Sequence, residues 1–175
     1  MRIGVSGPHG TGKTTLVHEL CSRFGDLTPI EEPYVLLEED GYDFEYPPSR
    51  ADYLAQLTRS VQLLNTEPDG VVFDRTPLDF LAYLSATGLD VEAEIDPTAI
   101  RNALAALDLL VIVPITTETE QTLPAPEMLA LRRTMNDALL ELAYTDQLQL
   151  LGDIPVVELT VPLADRVATI SAMIR

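Results

Sequence analysis

Short runs of consecutive apolar residues alternate along this chain with longer stretches whose apolar positions recur every three to four residues. The short runs read as strands buried on both faces, and the longer stretches as amphipathic helices. Strands are predicted at 2–6, 28–32, 70–74, 109–113 and 156–159. Helices are predicted at 13–24, 50–65, 77–86, 97–107, 127–150 and 163–174. In 50–65, Tyr53, Leu54, Leu57, Val61 and Leu64 share one side. In the long helix, Leu131, Met135, Leu139 and Leu142 are spaced as a core stripe. Asp96 is placed as an N-cap, with Pro97 at the first helical position. Two polar stretches, 34–49 and 116–126, read as loops. Strands alternating with helices imply an α/β fold with a parallel, doubly wound sheet.

Composition narrows the function. At 175 residues the chain predicts one domain, and 46% hydrophobic residues supply a core, so wholesale disorder is excluded. No stretch approaches the roughly 20 apolar residues of a membrane span. The N-terminal run is too short for a signal peptide, so a cytoplasmic location and no membrane partner are expected. Eleven basic against 28 acidic residues give a net charge of -17, a field that repels nucleic-acid backbones. Cys21 is the single cysteine and excludes an internal disulfide or a cysteine zinc cluster; His9 and His18 are too few for a histidine-rich metal site. The basic residues are arginines with one exception, Lys13.

That lysine sits in Gly7-Pro8-His9-Gly10-Thr11-Gly12-Lys13-Thr14, which fits G-x-x-x-x-G-K-[ST] between a predicted strand and a predicted helix. The glycines let backbone N–H groups turn toward phosphate oxygens, and the helix N-terminus adds its dipole. Lys13 would reach the β- and γ-phosphates and Thr14 would give a hydroxyl to Mg²⁺. Residues Gly7 to Thr14, with Thr15, are therefore the candidate nucleotide-binding set, with ATP and Mg²⁺ as the expected cofactors.

The third strand ends in Val71-Val72-Phe73-Asp74, where an acid can support the metal, so Thr14 and Asp74 are the metal candidates. Arg75 follows, not the Glu with which many motor-type ATPases activate water. A base-reading Asn/Thr-Lys-x-Asp loop is excluded because the lone lysine is already in the phosphate loop, so a conventional GTPase is excluded by counting. The second strand ends in Glu31-Glu32-Pro33, and Glu32 can take the proton of an attacking hydroxyl.

Taken together, Gly7 to Thr14, Glu32-Pro33 and Asp74-Arg75-Thr76 resemble the deoxynucleoside kinase and thymidylate kinase superfamily. The run from Phe73 to Tyr83 is also similar to small AAA-type families related to nicotinamide-riboside kinase. The resemblance spans nearly the whole chain as strand order and is specific at these three short motifs. It implies a P-loop NTPase three-layer sandwich: a five-stranded parallel sheet of order 2-3-1-4-5 with helices on both faces. It also implies that Glu32 is the base for the acceptor and that Arg75 steers the acceptor oxygen or its phosphate.

Two departures shape the expectation. Thymidylate kinases carry Arg just before the Glu-Pro; here Glu31 stands there and disfavours a phosphorylated acceptor. Family lids carry several arginines, whereas here a lid near 114–133 has Arg132 and Arg133 as candidates, and Arg132 is the one assigned a catalytic place. On the 50–65 helix, Arg50, Tyr53, Gln56 and Arg59 can face an acceptor, with Tyr34 or Tyr53 stacking on a ring. The expected function is phosphoryl transfer from ATP to a hydroxyl of a nucleoside-like or other small metabolite, with a homodimer possible. A nucleotide-binding switch or accessory ATPase acting through a protein partner, and a nucleoside monophosphate kinase, remain the alternatives.

Overall fold

The computed structural model describes residues 1–122 and 128–174. Five parallel strands, β1 (Arg2–Ser6), β2 (Thr28–Ile30), β3 (Val71–Asp74), β4 (Leu109–Ile112) and β5 (Val156–Glu158), form one sheet of order β2-β3-β1-β4-β5. Val5 pairs with Asp74 on one side of β1 and with Val111 on the other, so the ends of the central strands are level. The helices are α1 (Lys13–Arg23), α2 (Pro33–Glu39), α3 (Arg50–Thr66), α4 (Pro77–Ala86), α5 (Val91–Glu94), α6 (Thr98–Leu104), α7 (Thr117–Thr122), α8 (Leu129–Thr145) and α9 (Arg166–Met173). A 3₁₀ turn, Leu163–Asp165, leads into α9.

Alternation along the strands sorts side chains into two cores. On one face Phe73, Leu110 and Ile112 pack with residues of α3, α4, α6 and α8, including Leu64, Leu81, Leu104 and Leu139. On the other, Ile3, Val5, Val72 and Val111 pack with Leu16 and Leu20 of α1 and Ile170 of α9. This is the three-layer P-loop NTPase-like α/β architecture expected from the sequence. No helix among the described residues is long and apolar enough to cross a membrane.

Several boundaries differ from the sequence expectation. The stretch 34–49 is not all loop: Pro33 starts α2, because a proline at the first helical position costs no hydrogen bond. The polar stretch after β4 holds α7. In α6, Pro97 is itself the N-cap, while the Asp96 carboxylate accepts from the Thr98 N–H at 3.0 Å. The long helix ends at Thr145, five residues early, because Asp146 adopts a left-handed conformation. Part of the expected lid, 123–127, lies outside the described residues.

Candidate functional site

The phosphate loop joins β1 to α1. Gly12, the N-cap of α1, has φ +83°, a conformation that costs a side-chain-bearing residue energy. At Gly7 the reason is space: a Cβ there would lie 2.2 Å from the Val113 carbonyl oxygen. Lys13 is buried, and its ammonium donates to the Pro8 carbonyl at 2.8 Å. Burial, aided by the nearby Arg75 charge, pulls its pKa down to about 8, against the pull of Asp74, Asp79 and Glu32.

Asp74 ends β3 beside the loop. The Thr14 hydroxyl donates to its Oδ2 at 2.6 Å, while its Oδ1 is buried with no hydrogen-bond partner. Burial raises its pKa, although Lys13 and the Thr14 hydrogen bond counter it. An orphaned carboxylate oxygen next to a threonine hydroxyl is a donor set that suits a hard cation such as Mg²⁺.

Arg75 follows with φ +79°, a left-handed conformation uncommon for a non-glycine residue. Its Nε donates to Glu32 Oε2 at 2.6 Å, and its Nη1 reaches the Gly7 carbonyl and Asp79 Oδ1, both at 3.2 Å. Burial works against the charge of Glu32, but the Arg75 guanidinium wins and holds its pKa below the ordinary carboxylate value. Asp79, fully buried on the first turn of α4, also accepts from the N–H groups of Gly7 and Thr76, each at 2.9 Å. It therefore ties the phosphate loop to the β3–α4 turn. Asp79 escaped the sequence reading; its signal was the Thr76-x-x-Asp79 capping box at the start of α4.

Glu32 and Arg75 border a cavity of about 170 Å³, lined also by His9, Tyr34, Tyr53, Gln56 and Tyr83. The Tyr53 and Tyr83 rings stack at 4.9 Å with 4° between their planes. The Tyr83 hydroxyl lies 3.2 Å from His9 Nδ1 and Arg75 Cζ lies 5.6 Å from the Tyr83 ring centre, so this ring joins the cavity to the phosphate loop. Glu32, Arg75, Tyr34, Tyr53 and Gln56 are brought to this one cavity. Arg50 and Arg59 do not join it: Arg50 is 3.8 Å from Glu94 and Arg59 3.0 Å from Asp40. Leu131, expected in a core stripe, lines the cavity as well as packing partly on the core.

Two buried arginines hold the phosphate loop from α8 and α9. Arg132 Nε donates to the His9 carbonyl at 2.8 Å and its Nη2 to that of Gly10 at 3.3 Å; Nη1 is buried without a partner. Arg166 Nη1 donates to the Thr11 carbonyl at 2.6 Å, and its Nη2 is likewise unpartnered. Arg133 instead faces outward and pairs with Glu120 at 3.3 Å. Arg166 had no sequence signal, because its partner lies 155 positions away. Beside it, Gly12, Thr15, Leu16, Glu19 and Leu163 line a second cavity of about 170 Å³.

Residues 2–166 match the family described as AAA domain, and the chain belongs to that family. Its phosphate loop makes it a nucleotide-binding P-loop domain. The hemin import ATP-binding protein HmuV of Pseudomonas aeruginosa is 46% identical over 61 residues, 35% of this chain and 22% of that protein. The chain thus matches under a quarter of that relative's length. Over the whole chain the fold resembles deoxyadenosine kinase from M. mycoides with bound dATP, with TM-score 0.68, 18% identity and 99% of each chain covered. It also resembles NadR in complex with NR, with TM-score 0.64 and 24% identity over 98% of this chain and 48% of that one. At these identities the likeness is one of fold.

Proposed function

We propose that this chain is an ATP- and Mg²⁺-dependent kinase that phosphorylates a hydroxyl of a nucleoside-like metabolite, acting as one catalytic domain. The observation that carries the reading is the placement of Glu32. Its carboxylate stands on an aromatic-lined cavity and is joined through Arg75 to the carbonyl of Gly7, the first residue of the phosphate loop. A donor site and a ring-sized acceptor site thus share one border, as direct phosphoryl transfer requires.

Lys13 turns from the Pro8 carbonyl to the β- and γ-phosphates of ATP, whose charge favours its ammonium form. Thr14 and Asp74 would hold Mg²⁺, which when bound neutralises charge on the phosphate oxygens. Glu32, kept ionised by Arg75, accepts a hydrogen bond from the acceptor hydroxyl and takes its proton as the oxygen attacks the γ-phosphorus, whose bond to the β,γ-bridging oxygen breaks to release ADP. Arg75 holds that carboxylate in place. Arg132 meets the transferring phosphoryl group with its unpartnered Nη1 while anchoring the loop. The cavity beside Gly12 and Thr15 takes the remainder of the nucleotide.

A hydroxyl acceptor is favoured over a monophosphate because Glu32, Asp79 and the Gly7 carbonyl already take the Nε and Nη1 donors of Arg75, and Arg50 and Arg59 are paired elsewhere. The test is transfer of labelled γ-phosphate from ATP to a panel of nucleosides, nicotinamide riboside, nucleoside monophosphates and sugars, with Lys13→Ala as blank. A labelled nucleotide product that vanishes in the blank is expected. Label released only as inorganic phosphate would overturn the kinase reading in favour of a nucleotide-driven switch, and preferred transfer to monophosphates would overturn the hydroxyl assignment.

A further inference from the structure

Asp52, on the first turn of α3, is 1% exposed and takes no part in the proposed chemistry. A buried carboxylate must be compensated, and here the donors come from the segment just before the helix. Asp52 Oδ2 accepts from the Ser49 N–H at 2.7 Å, the Ser49 hydroxyl at 3.0 Å and the Glu45 N–H at 3.3 Å; Oδ1 accepts from the Tyr42 hydroxyl at 3.1 Å. The Ser49 bonds belong to the capping box of α3. Those from Tyr42 and Glu45 lie outside it and add nothing to the helix end.

What they fix is the segment itself. Phe44 packs on Tyr42 at 4.7 Å and stacks on Tyr34 at 4.4 Å with 27° between planes. Tyr34 and Pro48 line the Glu32 cavity from this side, and Tyr53 and Gln56 line it from α3. Gln56 Nε2 in turn donates to the Asp52 carbonyl at 3.2 Å. Asp52 therefore links both contributors to this wall, the segment through its carboxylate and Gln56 through its backbone carbonyl.

We propose that Asp52 is a positioning residue that latches segment 42–49 onto α3, so that Tyr34, Pro48, Tyr53 and Gln56 form one fixed wall and set acceptor affinity. It touches neither acceptor nor nucleotide. The proposal rests on the kinase reading above.

Two variants of the full chain test it. Tyr42→Phe removes one hydrogen bond and leaves the capping box intact; Asp52→Asn keeps the shape but weakens all four bonds. Amide hydrogen exchange without substrate should rise about 3- to 10-fold over 42–49 in Tyr42→Phe and further in Asp52→Asn. Exchange over 7–14 should stay unchanged. With deoxyadenosine as acceptor, or nicotinamide riboside if it is the faster, acceptor KM should rise roughly 10-fold in Asp52→Asn and about 3-fold in Tyr42→Phe. The KM for ATP and kcat should hold within about twofold. Unchanged exchange over 42–49 in both variants would overturn the latch. An acceptor KM that stays put, or an equal rise in the KM for ATP, would overturn the positioning role. Absence of transfer by the wild type would strike the kinase reading instead, and the exchange data would still decide whether Asp52 holds the segment.

Discussion

The two sides of the site are built from different materials. On the proposed donor side, loop backbone would meet the phosphates, and the cations Lys13, Arg132 and Arg166 rest on carbonyls of residues 8–11. On the proposed acceptor side, the surface is side chains from α2, α3, α4 and the strand ends: Tyr34, Gln56, Tyr53, Tyr83, Glu32 and Arg75. A backbone surface reads a feature that all nucleoside triphosphates share, whereas a side-chain surface can be retuned one residue at a time. In the proposed kinase, generality would sit on one side of the transferring phosphoryl group and selectivity on the other.

The contrast breaks at Lys13 if anywhere. Lys13→Ala should lower transfer by about 10³-fold or more and weaken ATP binding, because no other lysine can replace its charge; retained ATP affinity in calorimetry would refute the donor assignment. On the acceptor side, Glu32→Gln still offers an oxygen to Arg75, so the fold should hold. Its kcat should drop roughly 10²-fold with ATP affinity intact, and full turnover would remove Glu32 from the base role. Arg166→Lys should act on the donor side alone. Losing a planar donor should raise the KM for ATP about fivefold and leave acceptor KM as it was, as steady-state kinetics would show.

The smallest effect is a proton. Burial pulls the Lys13 pKa down to about 8 in the free protein, so its neutral fraction grows as pH rises from 6.5 to 8.5. Bound phosphates favour the charged form and raise that pKa. ATP binding should therefore take up part of a proton at pH 8.5 and almost none from Lys13 at pH 6.5, and ATP affinity should fall as pH rises above 8. Calorimetry in buffers of different ionisation enthalpy measures this directly; proton release from Lys13 at pH 8.5 would contradict it.

Legibility follows the same divide. The strands and the phosphate loop were readable because each rests on residues close in sequence, whereas the sheet order was implied by family likeness. Gly7 to Thr14 is one turn, and Asp74-Arg75 and Glu32-Pro33 each mark a strand end. Family likeness implied roles for Glu32 and Arg75 toward one acceptor, but the ion pair between them shows only in the structure. Asp79 and Asp52 look like ordinary helix-capping acids in a chain with 28 acidic residues, and only tertiary contact shows what each holds. Arg50 and Arg59 seemed available for the cavity because a helical repeat gives the face of a residue but not its partner. Helix α2 was masked by its polar surroundings, although Pro33 announces its start.

The two arginine anchors have a consequence for how the chain comes to be folded. The phosphate loop is made before α8 and α9 during synthesis, and Arg132 and Arg166 reach it from 123 and 155 positions downstream. Contacts so distant in sequence close late, after most of the loop-closure entropy has been lost. A nascent chain that already carries Gly7 to Thr14 still lacks the guanidinium groups that hold the carbonyls of His9, Gly10 and Thr11. The loop is completed only when the helices made after it have docked, so nucleotide binding should report the docking of α8 and α9.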